Sequence, residues 1–213
     1  DSHHMAQRMT ALGAGEVMVF PFGLENLPPR TQTKEDALFF ANRGLEDIYD
    51  PHRVLEVFAA LAQDWPQARL VVAHDGSLRS TLEARAQALG LAERVSFTGR
   101  LDAASQAVMY ERARWYLSLP RSDSVSVSVL EAMAHGCVPL LSDLPANREL
   151  VAHGDNGWIL ADGALPSVTD LGGLRERADR IGDHNRQWVS EHALFPQAVD
   201  QFVRRLKVLS ASS

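Results

Sequence analysis

The sequence predicts an α/β fold: a Rossmann-like parallel sheet of about six strands, helices on both faces, and further helices toward the C-terminus. Two observations carry this expectation. From about Leu38 onward, short apolar runs alternate with segments of helical period, the pattern of βαβ units. The runs are apolar at consecutive positions, as strands covered on both faces must be. The candidate strands are 37–41, 68–73, 94–98, 115–119, 138–142 and 157–160.

Helical stretches fill the intervals. In 51–64 the apolar residues Val54, Leu55, Val57, Phe58 and Leu61 recur at helical spacing, and Pro51 suits a first turn, where its missing N–H costs nothing. Residues 77–89 start at a capping Ser77 and stop before Gly90; 102–112 and 127–135 follow, the latter stopped by Gly136. Past Gly163 the chain becomes helical and more charged, with helices expected over 171–181, 185–192 and 196–209 and a frayed tail beyond. At the other end, residues 1–5 read as an expression-tag remnant ending at Met5. Residues 6–30 read as one strand, 17–20, followed by a linker carrying Pro21, Gly23, Pro28 and Pro29. The core domain is then 31–165, with C-terminal helices over 166–213 packing on it.

Composition narrows the function. The 213 residues are 46% hydrophobic and 23% charged, with a formal net charge of −6. That balance argues against a broad nucleic-acid surface while leaving room for a local phosphate pocket. No apolar run approaches the roughly 20 residues that span a bilayer. Cys137 is the single cysteine, so no internal disulfide is possible and a reducing, cytoplasmic setting is the simplest expectation. No His, Cys, Asp and Glu group shows metal-ligand spacing, and no Ser-His-Asp set has recognisable context.

The most informative stretch is 119–143, LPRSDSVSVSVLEAMAHGCVPLLSD. A buried strand ends at Pro120, a polar loop follows, and a helix starts near Ser126 or Val127. Asp123 lies in the loop and Glu131 inside the helix. In open parallel sheets ligands bind beyond the carboxyl ends of strands, where helix-start N–H groups favour a diphosphate. A carboxylate a turn into that helix can accept from vicinal hydroxyls such as those of a ribose. Plainer readings stand beside this one. Residues 124–129 alternate Ser and Val as a half-buried strand would, Asp123 suits a turn or an N-cap, and Glu131 compensates a helix dipole. Elsewhere Arg43 follows the first strand, where a guanidinium can grip a leaving diphosphate. His74-Asp75-Gly76 closes the second strand, with Gly76 fitting a tight turn and His74 either packed or touching phosphate. Thr98-Gly99-Arg100-Leu101 closes the third.

The ordered set Glu131-Ala132-Met133-Ala134-His135-Gly136-Cys137-Val138-Pro139, then Ser142-Asp143, Arg148-Glu149 and Asn156-Gly157, resembles the group 1 family of retaining glycosyltransferases. The likeness runs from about Val17 to Leu209 and covers the C-terminal, donor-binding domain of the GT-B fold. It implies binding of a nucleoside diphosphate sugar with no required cofactor or metal. Glu131 matches the second acidic residue of the family's paired motif, which binds the donor ribose. Asp123 matches the first, beside the transferred sugar, and is one methylene shorter than the usual Glu. The resemblance further implies loop contacts to sugar or diphosphate from Ser124, Val125 and Ser126, and a nucleobase bordered by Gly99, Arg100 and Leu101. His74 and Gly76 complete the donor-binding set; Arg43 and Asp123 are the catalytic pair. A departure is that Ile48 stands where the family carries a phosphate-clamping Lys, with Arg53 or His52 as candidate substitutes. An N-terminal acceptor-binding domain is expected to lie outside this chain, leaving these residues unable to transfer alone. A glycan or glycolipid acceptor, peripheral membrane association and a role in bacterial polysaccharide assembly follow from the same resemblance. The alternatives are a degenerate nucleotide-binding or interaction module, and a GT-B epimerase or phosphorylase.

Overall fold

A computed structural model describes residues 2–20 and 23–211; Asp1 of the tag-like start, Pro21 of the linker and the last two serines of the tail lie outside them. Six strands form one sheet: β1 Glu35–Ala41, β2 Arg69–Ala73, β3 Val95–Gly99, β4 Ala113–Ser118, β5 Val138–Ser142 and β6 Trp158–Leu160. Their order is β3-β2-β1-β4-β5-β6, and every neighbouring pair is parallel. The helices are α1 His3–Ala11, α2 Pro51–Asp64, α3 Arg79–Ala88, α4 Ala103–Arg112, α5 Val127–Ala134, α6 Pro145–Leu150, α7 Gly172–Glu176, α8 Ala178–His192 and α9 Phe195–Ala211. The Rossmann-like sheet and all six of its strands fall where the sequence places them.

The consecutive apolar residues of the strands sort onto two faces. On β1, Phe39 and Ala41 join the core beneath α2 and α3, whereas Leu38 and Phe40 join the one beneath α4 and α5. On β4, Trp115 and Leu117 point one way and Tyr116 the other. This is the period-2 alternation of a strand with no solvent face. In the first core the ring of Phe39 stacks on Trp115 at 5.8 Å and meets Phe58 and Trp65 edge-on at 5.5 and 5.7 Å. The two central strands are thereby clamped to α2.

The ends depart from expectation. Residues 3–11 form α1, whose first amides, His3 and His4, donate to the Glu149 carboxylate at 2.9 and 2.8 Å. An acidic group at a helix start is favourable both as a hydrogen-bond acceptor and toward the dipole. Among the described residues, 17–20 pair with no strand; Phe20 instead packs edge-on against Phe195 and Phe202 of α9. The helices expected over 171–181 and 185–192 are divided at Arg177, so Gly182 lies inside α8. Its reason is close approach, not a break. A Cβ there would meet the Gly136 carbonyl oxygen at 2.6 Å. Just beyond, Asn185 donates to the carbonyls of Cys137 and Asn156 at 3.2 and 3.0 Å, tying α8 to the turn after α5. Helix α6, opened by Pro145, was not anticipated. Among the described residues no helix is long and apolar enough to cross a membrane.

His135 caps α5, buried, stacked on Tyr110 at 5.5 Å and with Nδ1 unpartnered. Burial, then the nearby Lys34 charge, lower its pKa to about 4. Above about pH 6.5 the imidazole is neutral in folded and unfolded chains alike. Below that, only the unfolded chain takes up the proton until pH nears 4, so stability falls across this window. Urea titrations at pH 7 and 4.5 should therefore show His135→Gln losing about 2 kcal/mol less than the parent over that step. Independently, Phe39→Ala should cost about 3–5 kcal/mol in the same assay at pH 7.

Candidate functional site

The strand order reverses between β1 and β4. From β1 the chain turns toward β2, from β4 toward β5, and the two connections diverge to leave a crevice at the carboxyl ends. Arg43 enters from the end of β1, and the 119–126 loop and the start of α5 enter from the end of β4. The first turn of a helix carries N–H groups with no intrahelical acceptor, and those of α5 open at this point. The loop that period alone could read as a strand is irregular up to Ser126, and helix begins at Val127.

The fold brings Arg43 and Asp123 together. Arg43 Nη2 donates to Asp123 Oδ2 at 2.7 Å, with both side chains about four-fifths buried. Arg43 Nη1 donates to the hydroxyls of Ser126 and, at 3.1 Å, Ser128, and the guanidinium lies 4.5 Å over the Tyr49 ring. These contacts leave the Nε–H and the second Nη2–H without a protein acceptor among the described residues. Two such donors match the oxygens of a phosphate. Asp123 Oδ1 accepts from the Ser124 amide at 3.0 Å, so its carboxylate holds both the arginine and its own loop. It caps no helix; the N-cap of α5 is Ser126.

Glu131 lies partly buried on α5. Its Oε2 accepts from the Tyr110 phenol at 2.9 Å and from Gln106 Nε2 at 3.4 Å. Burial raises its pKa, and those two donors offset part of the rise. Oε1 has no protein donor among the described residues. The carboxylate therefore sits in a polar niche with one oxygen available, rather than in apolar core.

The remaining candidates divide. His74 and Gly99 face each other across the ends of β2 and β3, the His74 amide donating to the Gly99 carbonyl at 2.7 Å. Gly99 has φ +74°, and a Cβ there would press on Arg79 at 3.2 Å. His74 takes φ +93°, a left-handed geometry disfavoured for any residue with a Cβ. Its Nδ1 lies 2.9 Å from the Asp75 carbonyl, which requires the proton on Nδ1 and leaves Nε2 as an acceptor while the ring is neutral. Gly76 is needed for contact rather than for φ, since a Cβ would meet the Leu45 carbonyl oxygen at 2.4 Å. Arg100 is exposed beside them, whereas Leu101 and Val125 turn partly into the second core.

Arg53 is not available as a substitute clamp. Its guanidinium donates to the carbonyls of Leu160 and Ala161 at the end of β6 and pairs with Asp162 at 3.7 Å. It thereby lines a separate cleft of about 640 Å³ with Asp50, Arg121 and Asp143. Ile48 is exposed at 47%. Asn42, Tyr49, Gln106, Tyr110 and Tyr116 surround the site without having been singled out as site residues. Gln106 and Tyr110, one helical turn apart on the same face, were the available signal.

With this geometry in hand, a family model described as glycosyl transferases group 1 matches residues 26–171. The chain is 29% identical over 99 residues to alpha-monoglucosyldiacylglycerol synthase of Streptococcus pneumoniae, covering 46% of this chain and 22% of that protein. It is 27% identical over 135 residues to a GDP-mannose:cellobiosyl-diphosphopolyprenol alpha-mannosyltransferase of Xanthomonas oryzae, covering 60% and 34%. Among solved structures, TarM of S. aureus, in complex with fondaparinux, alpha-GlcNAc-glycerol and UDP, superposes with a TM-score of 0.83 at 10% identity, over 95% of this chain and 42% of that one. HepE of Anabaena in complex with UDP gives 0.71 at 18% identity, over 81% and 49%. These likenesses establish the shared fold. The chain spans about a fifth to a third of the length of these two curated relatives.

The strained backbone of His74 yields a direct check. Glycine tolerates this conformation, so His74→Gly should raise stability by about 1 kcal/mol in thermal or urea unfolding. An unchanged or lowered midpoint would show that contacts of the imidazole outweigh the strain.

Proposed function

Because the chain belongs to the glycosyl transferases group 1 family, we propose that it binds a nucleoside diphosphate sugar across the crevice and forms the donor-binding part of a retaining transferase. What supports this reading is that Arg43 and Glu131 approach one another through Ser128 and Tyr110, each with unpaired hydrogen-bonding capacity. The diphosphate lies against the free edge of Arg43 and the start of α5. As the bond to the sugar breaks, negative charge collects on the departing phosphate, and these fixed donors stabilise it without reorganising. Glu131 Oε1 accepts from the ribose hydroxyls, and the base lies over Gly99, Arg100 and Leu101. Asp123 orients Arg43 and stands beside the transferred sugar, reaching it through a water because its side chain is short. No resident metal or cofactor enters this scheme. The site lacks a second clamping cation at Ile48, so Arg43 carries the phosphate contact.

The names of the two curated relatives speak of a diacylglycerol glycolipid and a diphosphopolyprenol acceptor. On that ground a glycan or lipid-linked acceptor, with peripheral membrane association of the whole enzyme, is proposed here too. We place the reaction in a reducing, cytoplasmic setting, since Cys137 is single and buried. Given how little of its relatives' length the chain spans, these 213 residues are proposed to bind donor without transferring it.

Calorimetric titration with UDP, GDP and ADP tests the reading. At least one should bind the parent chain, and Arg43→Ala should weaken it about 10–100-fold through loss of a charge-assisted contact. Glu131→Ala should weaken nucleotide but not inorganic pyrophosphate. If none of the three binds, the donor-site reading fails and a non-catalytic interaction module is favoured. Sustained sugar transfer by this chain alone would overturn the division of labour.

A further inference from the structure

Behind the crevice a run of buried polar groups joins Arg43 to Glu131. Arg43 Nη1 donates to Ser128 Oγ at 3.1 Å, and the Ser128 carbonyl lies 3.2 Å from the Tyr110 phenol. Tyr116 donates to Asn42 Oδ1 at 2.7 Å, and Asn42 Nδ2 donates to the Tyr110 oxygen, also at 2.7 Å. Tyr110 then donates to Glu131 Oε2 at 2.9 Å. The middle of this run is sealed from solvent: Asn42 is 8% exposed, Tyr110 1% and Tyr116 0%.

The sense of donation is fixed by the chemistry of each group. The Asn42 oxygen can only accept, so it takes the Tyr116 proton, and its amide nitrogen must then find an acceptor in Tyr110. The Tyr110 oxygen, already accepting, sends its own proton outward. Two acceptors lie in reach, the Ser128 carbonyl at 3.2 Å and the Glu131 carboxylate at 2.9 Å, and the charged, nearer one wins. Burial holds both phenols protonated, Tyr116 with a pKa of about 12 and Tyr110 well above its ordinary value. From Tyr116 through Asn42 and Tyr110 to Glu131 every link therefore donates in one direction, and bonds aligned in this way strengthen one another at low dielectric.

Apolar side chains would fill this space at less desolvation cost, so the polar run is a constraint on geometry more than a source of stability. We infer that Tyr110 is a positioning residue for ribose recognition, its phenol proton pinning one oxygen of Glu131 so that the other is presented to a vicinal diol. This rests on the reading that Glu131 receives the donor ribose. A glutamate on an exposed helix face samples many rotamers; one anchored at Oε2 has lost that freedom before ligand arrives, which lowers the cost of binding.

The test compares UDP, GDP and ADP with their 2′-deoxy forms by calorimetry, in the parent chain and in Tyr110→Phe. The phenylalanine preserves the packing on Phe40 and His135 and removes only the hydroxyl. For whichever base binds, the parent should prefer the ribonucleotide. In Tyr110→Phe its affinity should fall about tenfold, the scale of one hydrogen bond to a charged group. The 2′-deoxy form and inorganic pyrophosphate should change by less than about twofold, within the scatter of a distant substitution. A merely structural role would weaken all of these ligands together, and either that result or an unchanged ribose preference overturns the inference. Should Tyr110→Phe not fold, Tyr116→Phe removes the preceding donor and is read by the same criteria. Absence of all nucleotide binding in the parent chain would instead remove the donor-site reading, a different failure.

Discussion

The parallel pairing of β1 with β4 is the constraint on which the site depends. Phe39 opposite Trp115 and Phe40 opposite Tyr116 set the register of two strands whose onward connections run in opposite directions. That register places Asn42 and Arg43 against the loop after β4, so the Arg43–Asp123 ion pair forms between segments 80 residues apart. A slip of one residue would exchange the two faces of β1, putting Phe39 where Phe40 meets Tyr110. The aromatic packing of both cores therefore determines where the charges stand.

Arg43 enters the crevice already partnered. Three side-chain acceptors and an aromatic face hold it, so little side-chain entropy remains to be lost when a further anion arrives. Its bond to Asp123 also offsets its charge locally. On the opposite side, Glu131 is similarly committed through one oxygen only. Both charged groups combine a fixed half with an available half, an arrangement suited to reading a ligand in one orientation.

Much of the fold was legible from the sequence because its signals were local and repeated. The strands and α2 follow from apolar runs and helical spacing in 37–160 that no tertiary contact overrides. The dissimilar ends were misjudged for physical reasons. Residues 17–20 have strand-like side chains but pair with no strand among the described residues, and Phe20 packs on α9 instead. Gly182 falls in the gap between two expected helices and is a contact point inside α8 instead, a distinction invisible without its neighbour Gly136. In the site, Arg43 stood out by following the end of a strand, and Asp123 and Glu131 by matching the paired acidic positions of the family that the 119–143 stretch resembles. Asn42, Tyr110 and Tyr116 did not, since a tyrosine in a buried helix or strand has the same sequence signature whether its hydroxyl is bonded to a carboxylate or not. The role of Arg53 was unreadable because its partners are main-chain carbonyls more than 100 residues away.

The meeting of Gly182 with Gly136 gives α8 a role beyond covering the sheet. Main chain rests on main chain there, and Asn185 stitches the same spot through carbonyls on either side. No side chain intervenes to cushion a shift, so a displacement of α8 is transmitted rigidly to the end of the segment bearing Glu131. Amide protons in the two helices should consequently exchange with solvent as one cooperative unit, and a proteolytic nick in α8 would loosen the Glu131 side of the site without touching it.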